Sequence, residues 1–449
     1  MNTPIADFVK AYTLSGASRF HMPGHKGNPV IGCEMFDITE INGADVLGNA
    51  EGIIAESEAN AASLFNTART FYSTEGSTLC IKAMLALIKK NSIKSVPKIL
   101  AARNAHKAFV YACALLGLEP EWIFPKEFTH LCACELSCNE LDDILKNADS
   151  LPDAVYITSP DYLGNVMDVK GLSDICHKYG IPLLVDNAHG AYLAFLNESL
   201  HPIALGADMC CDSAHKTLPV LTGGAYLHLS KNCKYTDTEV RSALSLFAST
   251  SPSYLILQSL DLCNLYLAEG YKEKLESFLK YAKKLRKALA GLGYPPSETN
   301  DELKFVFSKS QCGYTGTELA NHLAQFNIEP EFADNDYLVL MLTPELAQKD
   351  FERLLAAFQT LHPKAAESNE KRTVYKKAIK AVSIREAILS ISETVCSKDA
   401  LGRICASPTI SCPPAIPIVI SGEIVNESCI ELLSYYGIEK IEVVKEKNT

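Results

Sequence analysis

Between residues 60 and 260 the chain alternates short, almost continuously apolar runs with longer segments of helical period, and this restricts its fold more than any other feature. Runs such as A-V-Y-I-T at 154–158 are apolar at nearly every position, where a half-buried strand would be apolar at every second one. Strands of that kind are buried on both faces, as in a parallel sheet covered by helices. The spacing predicts strands over Lys98–Ala102, Ala154–Thr158, Ile181–Asp186, Ala207–Cys211 and Gly224–Leu229. It predicts helices over Ser77–Lys90, His106–Leu116 and Lys170–Tyr179. A long helical stretch, Glu269–Leu292, leads to a second α/β unit with strands at Leu303–Ser308 and Tyr337–Leu342. Composition changes again near Lys371, and the tail carries a Pro-rich segment, Cys412–Pro417. The expected organisation is an N-terminal segment (1–60), a large domain with a mostly parallel sheet (61–290), a small α/β domain (291–370) and a C-terminal α+β domain (371–449).

Composition narrows the function classes. With 42 Lys and Arg against 53 Asp and Glu, the formal charge is −11, a poor match to nucleic acid, which needs clustered cations. No apolar run approaches the roughly 20 residues of a membrane span, and no basic-then-apolar leader opens the chain. A cytoplasmic protein is expected. Its sixteen cysteines then read as reduced, small hydrophobic residues. Cys132, Cys134 and Cys138 lack a second ligand pair, so no metal is expected there.

Three polar clusters follow predicted strands, and a fourth opens a predicted helix. Asp186 ends one apolar strand, with His189 three residues on; Asp212-Ser213-Ala214-His215-Lys216-Thr217 follows another. In open α/β sheets, ligands sit beyond the carboxyl ends of the strands. A strand-end Asp and a strand-end S-x-H-K form the pattern of pyridoxal-phosphate (PLP) enzymes with the aspartate-aminotransferase-like fold. A lysine amine can hold the cofactor as a Schiff base. A carboxylate can keep the pyridine nitrogen protonated, so that the ring accepts electrons. Ser73-Thr74-Glu75-Gly76-Ser77-Thr78 opens a predicted helix, and such a start makes a cup for the cofactor phosphate, with Ser213 adding a second contact. His106, in R-N-A-H-K after the strand at 98–102, is placed to stack on the ring. Each motif alone has a plainer reading, as a helix cap, a surface lysine or a core histidine.

Together the motifs resemble the bacterial ornithine/lysine/arginine decarboxylase family. The matching stretches are F-H-M-P-G-H-K-G (20–27), D-I-T-E (37–40), E-G-S-T (75–78), R-N-A-H-K (103–107), S-P-D-Y-L-G (159–164) and D-N-A-H-G-A-Y (186–192). They continue through G-A-D-M-C-C-D-S-A-H-K-T-L (206–218) and S-P-S-Y-L-I-L-Q-S-L-D (251–261) to G-R-I (402–404), P-P-A-I-P (413–417) and S-G-E (421–423). The resemblance implies a PLP-dependent transferase-like (fold type I) architecture, in the short form without an N-terminal wing domain. It implies Lys216 as the Schiff-base lysine and Asp186 as partner of the ring nitrogen. His106 would stack, His215 and His189 would lie beside the cofactor, and Gly76, Ser77, Thr78 and Ser213 would hold its phosphate. It also implies a homodimer with active sites at the interface. Three departures bear on the substrate: Asp45-Val46 where two acids are usual, Asn187 where Glu usually follows the Asp, and Asp161 in place of Thr.

The implied reaction is α-decarboxylation of a basic amino acid (arginine, lysine or ornithine) in polyamine metabolism, with Lys216 and His215 as candidates to return the proton. Asp45, Glu40, Asp161 and Glu423 are the carboxylates that could meet the distal cation of the substrate. Transamination or another PLP reaction, or a catalytically silent scaffold, are the alternatives. The only arginine between Asp301 and Lys371 is Arg353, on the polar side of a helical pattern. That argues against a carboxylate clamp of the aminotransferase kind, because holding the departing group in the ground state lowers no barrier.

Overall fold

The computed structural model describes residues 1–126, 128–362, 364–365, 376–408 and 415–446. Lys371 and Cys412–Pro414 lie outside the described residues. In chain order, α1 (Pro4–Leu14), α2 (Ile53–Leu64), β1 (Arg69–Ser73) and α3 (Gly76–Asn91) precede β2 (Lys98–Ala102), α4 (Lys107–Leu116) and β3 (Glu119–Ile123). Then come α5 (Cys138–Lys146), β4 (Ala154–Thr158), α6 (Val169–Lys178), β5 (Leu183–Asp186), β6 (Met209–Asp212), α7 (Ala214–Thr217) and β7 (Ala225–Leu229). Helices α8 (Asp237–Ser245), α9 (Tyr254–Ala268) and α10 (Tyr271–Gly291) complete the first two-thirds of the chain.

The chain divides into two compact units. One comprises Met1–Ser95, Cys138–Ser159 and Asp168–Glu276; the other comprises Val96–Ser137, Pro160–Met167 and Ser277–Thr449. In the first unit the strands neighbour one another in the order β1-β7-β6-β5-β4. Strands β4, β5 and β6 are parallel, and β7 runs against both β6 and β1. The sheet is therefore mostly parallel, as expected, with β7 reversed. Its central strands are buried throughout, which is why they carry no alternation. This topology brings the carboxyl ends of β1, β4, β5 and β6, together with the start of β7, to one edge. Helix α3 buries Leu79, Ala83, Leu87 and Ile88, the face its periodicity predicts.

In the second unit β2 lies parallel to β3. A three-stranded antiparallel sheet joins β8 (Lys304–Ser308), β10 (Tyr337–Met341) and β9 (Phe332–Ala333) in that order. Its core is built from Phe305, Phe307, Leu338, Leu340, Phe351 and Phe358. The tail forms a separate core around Val419, Val425, Cys429, Leu433, Ile441 and Val443.

Candidate active site

Lys216 lies in the single-turn α7 that follows β6, and its Nζ is 3.1 Å from Nε2 of His189. His189 follows β5, so the adjacent ends of two parallel strands meet at the lysine amine. Beside it, Nδ1 of His215 is 3.0 Å from the Gly224 carbonyl. A carbonyl only accepts, so Nδ1 carries the proton. Burial, with the neighbouring Lys216 cation, pushes the His215 pKa down. A neutral imidazole with an unprotonated Nε2 results.

Asp186 is 2% exposed. Its carboxylate accepts from the Tyr156 hydroxyl at 3.1 Å, the Ala188 amide at 3.2 Å and the Cys211 thiol at 3.6 Å. Burial pushes its pKa up, with the Lys216 cation pulling the other way. A carboxylate so placed holds its charge best beside a cation, and a protonated pyridine nitrogen supplies one.

The start of α3 fits a phosphate. First-turn amides have no acceptor within their own helix, and Glu75, at the cap position, offers no side-chain bond. Ser213 Oγ donates to Ser77 Oγ at 2.8 Å, so the β6 loop and the helix start converge on one point. Gly76 turns the chain into the helix at φ +71°, and a Cβ there would meet nothing within 4 Å. The Gly76 amide donates to the Gly223 carbonyl at 2.7 Å, so Gly76 shapes the turn that leads into the helix.

The four carboxylates expected to meet the substrate cation fare differently. Asp45 accepts from the amides of Val46, Glu51, Gly52, Ile54 and Ala55 at 2.8–3.4 Å, capping α2 from a distance. That commitment favours a structural role over the expected contact with a substrate cation. Asp161, in the second unit, closes a turn through the amides of Leu163 and Asn165 and the Asn165 side chain. Glu423, also in the second unit, accepts from the Ile420 amide and lies 3.7 Å from Arg103. Glu40 is exposed. His106 caps α4 in the second unit, its Nδ1 accepting from the Ala108 amide at 3.1 Å. Sequence reasoning missed Tyr156 and the pair Asn187 and Asp212, bonded at 2.7 Å. Only the strand register identifies them. Among the described residues, His/Cys/Asp/Glu groups spaced for a metal are His201-Cys210-Asp212 and His130-Asp334-Asp336; Cys132, Cys134 and Cys138 are in neither.

Residues 3–307 match the family model described as the major domain of Orn/Lys/Arg decarboxylases. The chain is 30% identical to the YaaO protein of Bacillus subtilis (strain 168), over 97% of this chain and 94% of that one. It is 29% identical to the arginine decarboxylase of the same organism, over 96% of this chain and 93% of the relative. The constitutive lysine decarboxylase of E. coli superposes with a TM-score of 0.79 at 16% identity, over 99% of this chain and 82% of that one. A NifS-like protein shares the fold more distantly, with a TM-score of 0.55 over 70% of this chain. The architecture is therefore that of fold type I PLP enzymes, and the strand-end lysine, buried carboxylate and helix-start cradle suit that cofactor. The chain belongs to the Orn/Lys/Arg decarboxylase family and is a PLP-dependent carboxy-lyase.

Proposed function

We propose that the protein removes the α-carboxyl group of a basic amino acid, with arginine as the preferred substrate, and so supplies an amine to polyamine metabolism. The observation that carries this reading is the near full-length likeness to a protein named arginine decarboxylase. Exposed Arg353, on the helix Gln348–Gln359, is consistent with release of the carboxylate and not with its retention.

Bound PLP supplies an electron sink for the pair left when CO₂ departs. The chain's own groups do the rest. Lys216 would hold the cofactor aldehyde through its amine. Asp186 would keep the ring nitrogen protonated. Ser77, Thr78 and Ser213 would anchor the phosphate. His189, 3.1 Å from the lysine Nζ, can take a proton from that amine and return it. Lys216 and His215 are the candidates to deliver a proton to Cα; neutral His215 would first have to take that proton on its free Nε2. The acidic balance of the chain favours approach of a cationic substrate.

A cytoplasmic homodimer belongs to the same reading. Phe20, Val30 and Ile31 are 96%, 83% and 83% exposed, large apolar side chains that a second copy would cover. The test is an amine-product assay across arginine, lysine and ornithine, with keto-acid formation measured in parallel. Amine from arginine above the other two supports the reading; keto acid without amine would replace it with transamination.

A further inference from the structure

Asp212 ends β6, one residue before Ser213 and four before Lys216, and is fully buried. Its Oδ1 accepts from Nδ2 of Asn187 at 2.7 Å, while the Asn187 amide donates to the Cys211 carbonyl at 3.0 Å. Its Oδ2 lies 3.1 Å from His201 Nε2 and 3.4 Å from His228 Nε2. His228, from β7, places Nδ1 2.8 Å from the Thr70 hydroxyl of β1. The Phe65 ring packs on both imidazoles, at 4.7 Å from His228 and 5.6 Å from His201. Asn187, Asp212, His201 and His228 are all 0% exposed.

A buried charge is an expensive way to fill a core, and well-packed apolar residues often serve stability better. Here the two imidazoles hold the Asp212 carboxyl charged, well below its usual range. Gly190 also serves the arrangement: a Cβ there would sit 2.0 Å from Asn187 Oδ1. What the cluster joins is specific. Asn187 directly follows Asp186, and Asp212 leads directly into the segment carrying Ser213 and Lys216. PLP is a rigid planar ring, so the carboxylate facing its nitrogen and the amine bound to its aldehyde must sit at one fixed separation. Small misplacements of reacting groups cost large factors in rate.

We propose that Asn187 and Asp212 are positioning residues, a buried tie between the ends of β5 and β6 that sets Asp186 and Lys216 at the separation the cofactor requires. His201 and His228 anchor the Asp212 end of the tie.

The test uses four variants: Asn187→Leu removes the donor at similar volume; Asn187→Asp opposes two carboxylates; Asn187→Asp with Asp212→Asn restores a donor–acceptor pair in reverse; Gly190→Ala presses on Asn187. Two readouts are the Kd for PLP added to the apoprotein and the split between kcat and KM. Cofactor affinity does not depend on which amino acid is the substrate, so a wrong substrate assignment leaves that arm intact. A hydrogen bond to a charged group corresponds to roughly a tenfold to hundredfold change in an equilibrium. Each single variant should weaken PLP binding and lower kcat by about that factor, with KM little changed. The reversed pair should recover at least about tenfold over Asn187→Asp in both readouts. If the singles bind PLP and turn over like the parent, the proposal fails. It fails equally if the reversed pair is no better than Asn187→Asp, since loss without rescue reports general damage. A stoichiometric metal found by elemental analysis would also overturn it, because Asp212 would then be a ligand.

Discussion

Replacing Asp186 by Asn tests the electrostatic centre of the site, and it predicts effects of opposite sign on catalysis and on the apoprotein. Asparagine keeps the shape and can still accept from the Ala188 amide, now 3.2 Å away, while the rotatable Tyr156 hydroxyl can turn to accept from the new amide group. What disappears is the anion proposed to hold the ring nitrogen protonated. A bond to a charged partner is worth roughly 1.5–3 kcal/mol. Deleting one member of a buried ion pair costs about 3–5 kcal/mol. A loss of about 2–4 kcal/mol in the transition state corresponds to roughly a 30- to 1,000-fold lower kcat. The apoprotein should respond the other way. Burial raises the Asp186 pKa in the folded chain above its unfolded value. Its contribution to stability is therefore full below the unfolded pKa and is lost as pH rises through the folded one. At neutral pH the amide should leave the apoprotein's Tm unchanged or raised. The assay pairs amine release at saturating substrate and PLP with melting of the apoprotein. A parent-like kcat refutes the role of Asp186, and an apoprotein that melts many degrees lower refutes the burial argument.

Lys216→Ala should abolish turnover and the visible absorbance of lysine-bound cofactor while the apoprotein stays folded; absorbance and activity like the parent's would remove Lys216 from the site. Asp45→Asn should lower Tm through loss of about 1–3 kcal/mol, because it weakens the bonds that cap α2. It should also reduce activity equally on a basic substrate and on an uncharged analogue, whereas a KM increase confined to the basic substrate would return Asp45 to the pocket. Asp261, which accepts from the Ile5 and Ala6 amides at the start of α1, has its pKa pushed up by burial to about 6. The unfolded value is about 3.9. Its share of stability is therefore full below about pH 4 and lost as pH rises through 6. Asp261→Asn should flatten the Tm–pH curve across that window, and an unchanged slope would contradict the assignment. Light scattering should find at least a dimer, and a fully active monomer would exclude an interface site.

Where local pattern sufficed, sequence and structure agree. The strands at 98–102 and 154–158 have the expected bounds, and α3, α4 and α6 agree within a residue at each end, because continuous apolar runs and 3.6-residue periods are properties of adjacent residues. The polar residues that follow those runs were legible for the same reason: a parallel sheet sends every strand's carboxyl end to one edge. Strands β1 (R-T-F-Y-S) and β3 (E-P-E-W-I) were not legible. Charged and hydroxyl residues and a proline obscure their pattern, and pairing with β7 and β2 through main-chain bonds makes them strands. The reversed direction of β7 is likewise a matter of pairing alone.

The sequence by itself determined which residues could perform the chemistry: one lysine and one aspartate, each at the end of an apolar run, and a hydroxyl-rich helix start. Only the tertiary structure decided what the remaining carboxylates do. Asp45 and Asp212 look alike in the sequence, as single acids next to apolar residues. One faces the backbone amides that open α2, and the other is held between Asn187, His201 and His228. A carboxylate's role follows from the donors that fold around it. Those donors come from segments up to tens of residues away, so no local pattern carries the information.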